Sequence, residues 1–465
     1  MDPSTLRVGL VTPAQSHDPY RAMDYIGGVV AGQLFQSPFA FGRGDGAIRP
    51  LVFAGPLEAR GAARSVGRVR EGLRFSDGSP VTASDVIASL NQVWIRGRGI
   101  RLREERDCVI FERPSGIADL HATLVTSWSA ISKNGDGRTG SGAYVVGPGS
   151  TPERFELVRN PHYAGQQGPG AIESIELRCY PPDPDGRATK LVAALEAGEV
   201  DFTQVLGRDD AARLTRVRKL YQPGSSTAIL YLNTERLDVA MRRAIVTSVD
   251  RYALTSLCYD NPAGFVARGL LPPRMGSYAD EVTQAPVDRG QLAKTELELL
   301  VVWAPRPYLS RPAKVADALA EQLAKVGIRL TITHAKNADD YFGRLEAGDY
   351  DAVLSGWIAD SGDPREFLHS LVHGNSVLAP GVDNPSASNL ARWRDAEADQ
   401  WIARIDEGSQ GRHSEATAAL IRHIGEQAPL LPLMYGPSVT VLSRRVRSFE
   451  PHPLNIYPVF AELSV

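Results

Sequence analysis

Between residues 297 and 354 the chain alternates strand and helix patterns, and no other feature limits its fold as much. Residues 297–303 read as a strand, and residues 314–326 carry Val315, Leu319 and Leu323 at helical spacing. Residues 327–332 form a second strand, 341–345 open a second helix, and 348–354 form a third strand. Strand–helix–strand–helix–strand closes naturally as a parallel sheet with helical crossovers. A second unit precedes it. Residues 172–180 alternate as a strand, 187–197 form an amphipathic helix with Leu191, Ala194 and Leu195 on one face, and Gly198 leads into a buried strand. The chain has 465 residues, too many for one core, so two or three domains are expected.

Residues 73–90 contain a turn and a helix start. Leu73 and Phe75 alternate with polar residues as in a half-buried strand, and Asp77-Gly78 supplies a turn. Thr82 stands where a helix cap belongs, with Asp85 three residues on to complete a capping box. Val86, Ile87 and Leu90 begin the apolar face of that helix.

The wording Phe75-Ser76-Asp77-Gly78-Ser79-Pro80-Val81-Thr82-Ala83-Ser84-Asp85-Val86 resembles the phrase "F-x-D-G-x-P-x-T-A-x-D-V" of the family 5 extracellular solute-binding proteins, the oligopeptide-, dipeptide- and nickel-binding components of ABC importers. Further blocks follow in the family's order. Gly140-Ser141-Gly142-Ala143-Tyr144 is similar to "G-T-G-P-Y", and Leu157-Val158-Arg159-Asn160-Pro161-His162-Tyr163 to "L-x-R-N-P-x-Y". Residues 226–233 resemble a strand that crosses between two lobes, residues 239–251 resemble the opening helix of the second lobe, and Gly269-Leu270-Leu271-Pro272-Pro273 its "G-x-x-P-P" loop. Residues 430–435 would cross back. The resemblance implies an α/β, bilobed periplasmic-binding-protein-like fold (type II, cluster C), with two α/β lobes joined by crossing strands and a small extra subdomain on the first. On this reading residues 1–34, 143–228 and 437–465 build the main part of lobe 1, residues 35–142 its small subdomain, and residues 229–436 lobe 2. The Ala/Arg/Gly-rich passage 55–70 stands where the family has a strand pair, so a trimmed subdomain is expected there.

Composition narrows the class further. A net charge of −3 with pI about 6.3 gives no reason to expect nucleic acid or an anionic membrane as partner. No apolar run is long enough to span a bilayer. Cys108, Cys179 and Cys258 are far apart and odd in number, which suits buried free thiols rather than a disulfide framework or a zinc site. The start, Met1-Asp2-Pro3-Ser4, lacks a basic region, an apolar region and a cleavage site. Two expectations follow: an extracytoplasmic protein if an export signal lies upstream, a cytoplasmic one if the chain starts here.

The strongest site candidate is Ser355-Gly356-Trp357-Ile358-Ala359-Asp360-Ser361-Gly362-Asp363-Pro364. It follows a strand, and open α/β sheets bind ligands beyond the carboxyl ends of their strands. It is similar to the family's "G-W-x-A-D-x-x-D-P". That resemblance implies that Asp360 pairs with a peptide α-ammonium and that Trp357 lines a side-chain pocket. The alternative for Asp360 is a cap on the helix beginning at Pro364. Ile358 stands where some peptide binders have a cysteine. Residues 388–399 resemble a phrase whose loop usually faces the cleft, which makes Asn389 and Arg392 candidate ligand contacts, against the alternative of a solvated charged face. His369 and His373 have metal-ligand spacing on a helix, but two ligands do not make a site, so surface or cap histidines are expected. No phosphate loop, dinucleotide fingerprint or nucleophile elbow appears, and no cofactor is expected.

The expected function is a monomeric solute-binding protein that closes over a short peptide or peptide-like molecule and, if exported, delivers it to an ABC permease. The rival is a signal-less intracellular enzyme or metabolite-binding protein that reuses the scaffold in a biosynthetic pathway.

Overall fold

The computed structural model describes all residues except 1–3, 14–16, 22–24, 43–46, 93–98, 114–119, 152–153, 166–170, 184–185, 260, 276–294, 360–362, 382–387, 408–409 and 451–456. One ten-stranded mixed sheet runs through the molecule. Its order is Ile328–His334, Thr295–Val301, Ala352–Ile358, Arg218–Leu232, Leu430–Leu442, Phe202–Thr203, Thr5–Leu10, Ser174–Cys179, Arg154–Arg159 and Tyr144–Val146.

The expected parallel unit is present: Thr295–Val301 pairs parallel with both Ile328–His334 and Ala352–Ile358. Helix Pro312–Ala324 buries Val315, Ala316, Leu319 and Leu323, the predicted stripe. Helix Ala338–Ala347 ends at Gly348, whose positive φ of 71° closes the helix at no steric cost. Around this unit one large apolar core forms the second lobe. On the other side of the sheet, Thr5–Leu10 pairs parallel with Ser174–Cys179, and two smaller cores form the body of the first lobe.

Two long antiparallel strands, Arg218–Leu232 and Leu430–Leu442, join the lobes. Their register shifts between Gln222 and Ser226 and again between Ala228 and Ile229. Such irregularities bend a strand pair locally.

A separate core around Phe53, Phe75, Phe111, Val86 and Leu90 forms the small subdomain. The capping box is as read: Asp85 N–H donates to Thr82 Oγ1 at 3.3 Å, and Thr82 N–H donates to Asp85 Oδ2 at 2.9 Å. Leu73 and Phe75 are buried, but their stretch is a tight hairpin around Asp77-Gly78 rather than a full strand. The expectation of a lost strand pair at 55–70 is corrected. Glu58–Ala59 and Arg64–Arg68 form strands, and with Cys108–Glu112 and Arg101–Glu105 they make a four-stranded antiparallel sheet. Alternation is weak there because cross-strand charge pairs take the place of apolar pairs: Arg64 meets Glu105 at 2.8 Å, and Arg103 meets Glu112 at 3.1 Å. Gly67 leaves room for the Phe53 ring, which would lie 2.7 Å from any Cβ at that position.

The first lobe is discontinuous in sequence, and one buried carboxylate ties its pieces together. Asp201 is fully buried. It accepts from Arg7 Nε at 2.8 Å, Arg7 Nη2 at 2.8 Å, Ser443 Oγ at 2.9 Å and Arg445 Nη1 at 2.8 Å. Burial pushes its pKa up, but the hydrogen bonds and charges of Arg7, Ser443 and Arg445 outweigh this and hold it below the usual carboxylate range.

Asp201→Asn should cost about 3–5 kcal/mol in denaturant unfolding, because Arg7 is left buried without its counter-ion. A carboxyl with a depressed folded-state pKa contributes stability above its unfolded value, near pH 4, and the contribution is lost as pH falls through the folded value. The stability gap between wild type and Asp201→Asn should therefore shrink as pH falls below about 4. A gap that is constant from pH 7 to acid would contradict the assignment.

Candidate functional site

A cleft lies between the lobes at the carboxyl ends of the parallel strands. This is the position of a small-molecule site in an open α/β sheet. One wall comes from the first lobe, through Tyr25, Tyr457 and Trp128. Tyr25 and Tyr457 stack with ring centroids 5.7 Å apart, which brings an early helix and the C-terminal segment to one place.

The facing wall is built by two strand ends of the second lobe. Beyond strand Thr295–Val301 come Val302, Trp303, Arg306 and Tyr308, and strand Ala352–Ile358 contributes Ser355, Gly356, Trp357 and Ile358. Residues 306–309 form a tight turn, with Leu309 N–H donating to the Arg306 carbonyl at 2.9 Å and Arg306 N–H donating to the Leu309 carbonyl at 3.0 Å. That turn lies directly on crossing strand Leu430–Leu442 and the neighbouring strand Ala352–Ile358, because a glycine in each leaves space for Tyr308. A Cβ at Gly356 would sit 2.6 Å from the Tyr308 ring, and one at Gly436 would sit 2.5 Å from the Tyr308 Cα.

The cleft is aromatic, with one ionised side chain among its described lining residues, Arg306. Its guanidinium lies 4.2 Å from the Trp303 ring centroid, a cation–π distance. Burial raises the pKa of the Tyr25, Tyr231, Tyr308 and Tyr341 hydroxyls, so all four stay neutral donors. The buried hydroxyl of Tyr231 has no hydrogen-bond partner among the described residues.

Of the residues predicted from sequence, Trp357 lines this cleft. Asp360 lies outside the described residues. The cap of helix Pro364–Val372 is Asp363, which accepts from Arg365 N–H at 2.9 Å. Asn389 is fully buried and bonded to backbone on all sides. Its Nδ2 donates to the His373 and Trp393 carbonyls at 3.1 and 2.8 Å, and its Oδ1 accepts from Trp393 N–H at 3.2 Å. Arg392 adopts a positive φ of 53°. Its side chain donates to Glu235 Oε2 at 2.6 Å and to the Leu378 carbonyl at 2.8 Å. Their loop reaches the cleft through the neighbours Ser388 and Leu390 instead. His369 and His373 stack, with ring centroids 4.4 Å apart, and His373 Nδ1 accepts from Asn375 N–H to cap a short turn.

Sequence reasoning missed Arg306, Trp303 and Tyr308. The available signal was position: they follow the carboxyl end of a strand in the same parallel unit that led to Trp357.

Asn389→Ala should lower stability by about 2–3 kcal/mol in denaturant unfolding, since three buried backbone groups lose a partner worth ~1 kcal/mol each. A variant as stable as wild type would mean that the side chain does not hold the loop.

Comparison with known proteins bears on this cleft. The model of the bacterial extracellular solute-binding proteins, family 5 (middle), matches residues 109–378, more than half of the chain. Heme-binding protein A of Haemophilus influenzae is 27% identical over 346 residues, 70% of this chain and 59% of that protein. The dipeptide-binding protein of Pseudomonas aeruginosa is 27% identical over 280 residues, 56% of this chain and 50% of that protein. The matches with these two relatives thus span about half to three fifths of their length. A dipeptide binding protein from Pseudoalteromonas sp. SM9913, in complex with Met-Leu, shares the fold with a TM-score of 0.83 and 18% identity, covering 99% of each chain. Two α/β lobes joined by crossing strands, the architecture expected from the sequence, are the architecture found. The chain belongs to the bacterial extracellular solute-binding proteins of family 5.

Proposed function

We propose that this protein is extracytoplasmic, binds a short peptide or peptide-like molecule by closing its lobes over it, and hands it to an ABC permease. The observation that carries this reading is the interlobe cleft: aromatic walls from both lobes and, among its described lining residues, one cation, Arg306. Such a site fits an extended small molecule with an anionic end. On this reading the ligand carboxylate meets Arg306. Its ammonium meets Asp360, two residues beyond the cleft-lining strand Ala352–Ile358. Trp357 packs on a side chain. Asn389 and Arg392 serve by fixing the loop that presents Ser388 and Leu390. The proposed division is residues 1–34, 143–228 and 437–465 for lobe 1, 35–142 for its subdomain and 229–436 for lobe 2, with the protein acting as a monomer.

The names of the relatives, which include dipeptide- and di/tripeptide-binding proteins, support a peptide-like ligand. An enzyme on the same scaffold gains no support from them. Hinge closure fits the register shifts in the crossing strands.

Calorimetric titration with a matched set of dipeptides tests the reading. Asp360→Asn should weaken binding of a free-amine dipeptide by about 2–5 kcal/mol while barely changing its N-acetylated form. Arg306→Gln should do the same for the free carboxylate against the C-terminal amide. Equal losses for blocked and free forms would reject the assignment of the two ends.

A further inference from the structure

We infer that the cleft selects ligands carrying one large uncharged side chain, aromatic above all, and discriminates against basic side chains. The inference deepens the peptide-binding reading and rests on it for the position of the ligand. Its basis is a box of rings in the second-lobe wall. Trp303 lies 5.3 Å from Tyr341 and 6.1 Å from Phe342, centroid to centroid, and Tyr341 lies 5.5 Å from Phe342. The rings are tilted or edge-on to one another, and Trp303 and Phe342 are only partly buried, so part of their surface is left for a ligand side chain. Leu345 and Leu378 line the same cleft, with Trp357 beside them.

Three ligand chemistries compete for such a box. A cation is the first, because aromatic cages hold ammonium groups. Here the Trp303 ring already carries the Arg306 guanidinium at 4.2 Å. A second cation would be repelled by Arg306; on the proposed reading Asp360 is already taken by the ligand's ammonium, and no carboxylate stands among the described lining residues to offset the lost hydration of another. A small side chain is the second. It leaves the ring faces without contact and forgoes the area-dependent gain of burial. A ring or a branched aliphatic chain is the third. It covers those faces, needs no charge partner, and leaves Arg306 to the ligand's carboxylate. The third chemistry fits every feature on the wall.

The experiment is a calorimetric panel with both residue orders: Ala-Phe and Phe-Ala, Ala-Leu and Leu-Ala, Ala-Lys and Lys-Ala, and Ala-Ala. The better Phe order should bind about ten- to a hundredfold tighter than Ala-Ala, the range expected for burying one large apolar side chain. Both Lys orders should bind no tighter than Ala-Ala. Phe342→Ala should shrink the advantage of Phe over Ala-Ala several-fold. Lys or Ala peptides that match Phe peptides would overturn the inference while leaving the peptide reading intact. A second probe separates the opposite case. Tryptophan fluorescence is titrated with 3-phenylpropionate, propionate and 6-aminohexanoate. If no dipeptide binds but 3-phenylpropionate binds more tightly than the other two, the box stands and the peptide reading falls. If 3-phenylpropionate shows no advantage either, both fall.

Discussion

Both lobes hang on one antiparallel pair, Arg218–Leu232 with Leu430–Leu442. Strands of the first lobe attach to one side of the pair and strands of the second lobe to the other, so a single hydrogen-bonded sheet is continuous across the cleft. Continuity would make the molecule stiff if the register were regular. It is broken between Gln222 and Ser226, beside the point where the 306–309 turn rests on Gly356 and Gly436. The place where the sheet can bend is thus the place where the cleft cation is mounted. On the proposed reading, any rotation of the lobes is felt at Arg306 directly.

The first lobe poses a different problem, because its strands come from the start, middle and end of the chain. Backbone pairing brings Arg7, Asp201 and Ser443 together: Asp201 N–H donates to the Arg7 carbonyl at 2.7 Å, and Ser443 N–H donates to the Asp201 carbonyl at 2.8 Å. The buried carboxylate then fixes which segments meet, since Arg7 pairs with it in a site closed to solvent, with side-chain exposures of 8% and 0%. An apolar cluster could have supplied as much stability. The charged knot adds a defined partner for each segment, the same property that lets the C-terminal segment deliver Tyr457 to the cleft opposite Tyr25.

Much of this was legible in the sequence where one local interaction dominates. The Thr82–Asp85 capping box, the apolar stripe of helix Pro312–Ala324 and the parallel unit all follow from spacing alone. Strand Arg64–Arg68 was hidden because its stabilising partners, Glu105 and Glu112, are distant in sequence and charged. Asn389 and Arg392 sit in a phrase that suggests a ligand loop, yet residue type cannot reveal that the bonds of Asn389 go to the His373 and Trp393 backbone. Arg306 was invisible for the opposite reason. It is one arginine among many, and only the fold shows that its strand ends beside that of Trp357. Tyr25 and Tyr457 stand 432 positions apart by subtraction of their numbers, so their stacking is purely tertiary.

On the proposed reading, the contacts that span the lobes say where the free energy of closure has to come from. Arg311 meets Asp209 at 2.8 Å with both side chains about a quarter exposed, and Arg113 meets Asp406 at 3.8 Å, beyond hydrogen-bonding distance. A partly exposed ion pair contributes little net, ~0–1 kcal/mol, and one without a hydrogen bond forgoes the charge-assisted contact that makes such pairs strong. The aromatic walls, by contrast, face a cleft that the lobes alone do not fill. On the proposed reading, a ligand in it touches Tyr25 and Trp128 on one side and Trp303 and Trp357 on the other, and it makes those contacts together only when the lobes are shut. That difference between closed and open is what a ligand needs in order to shift the equilibrium. On the proposed reading, a weakly latched pair of lobes whose aromatic walls face each other across the cleft is suited to closing on a ligand.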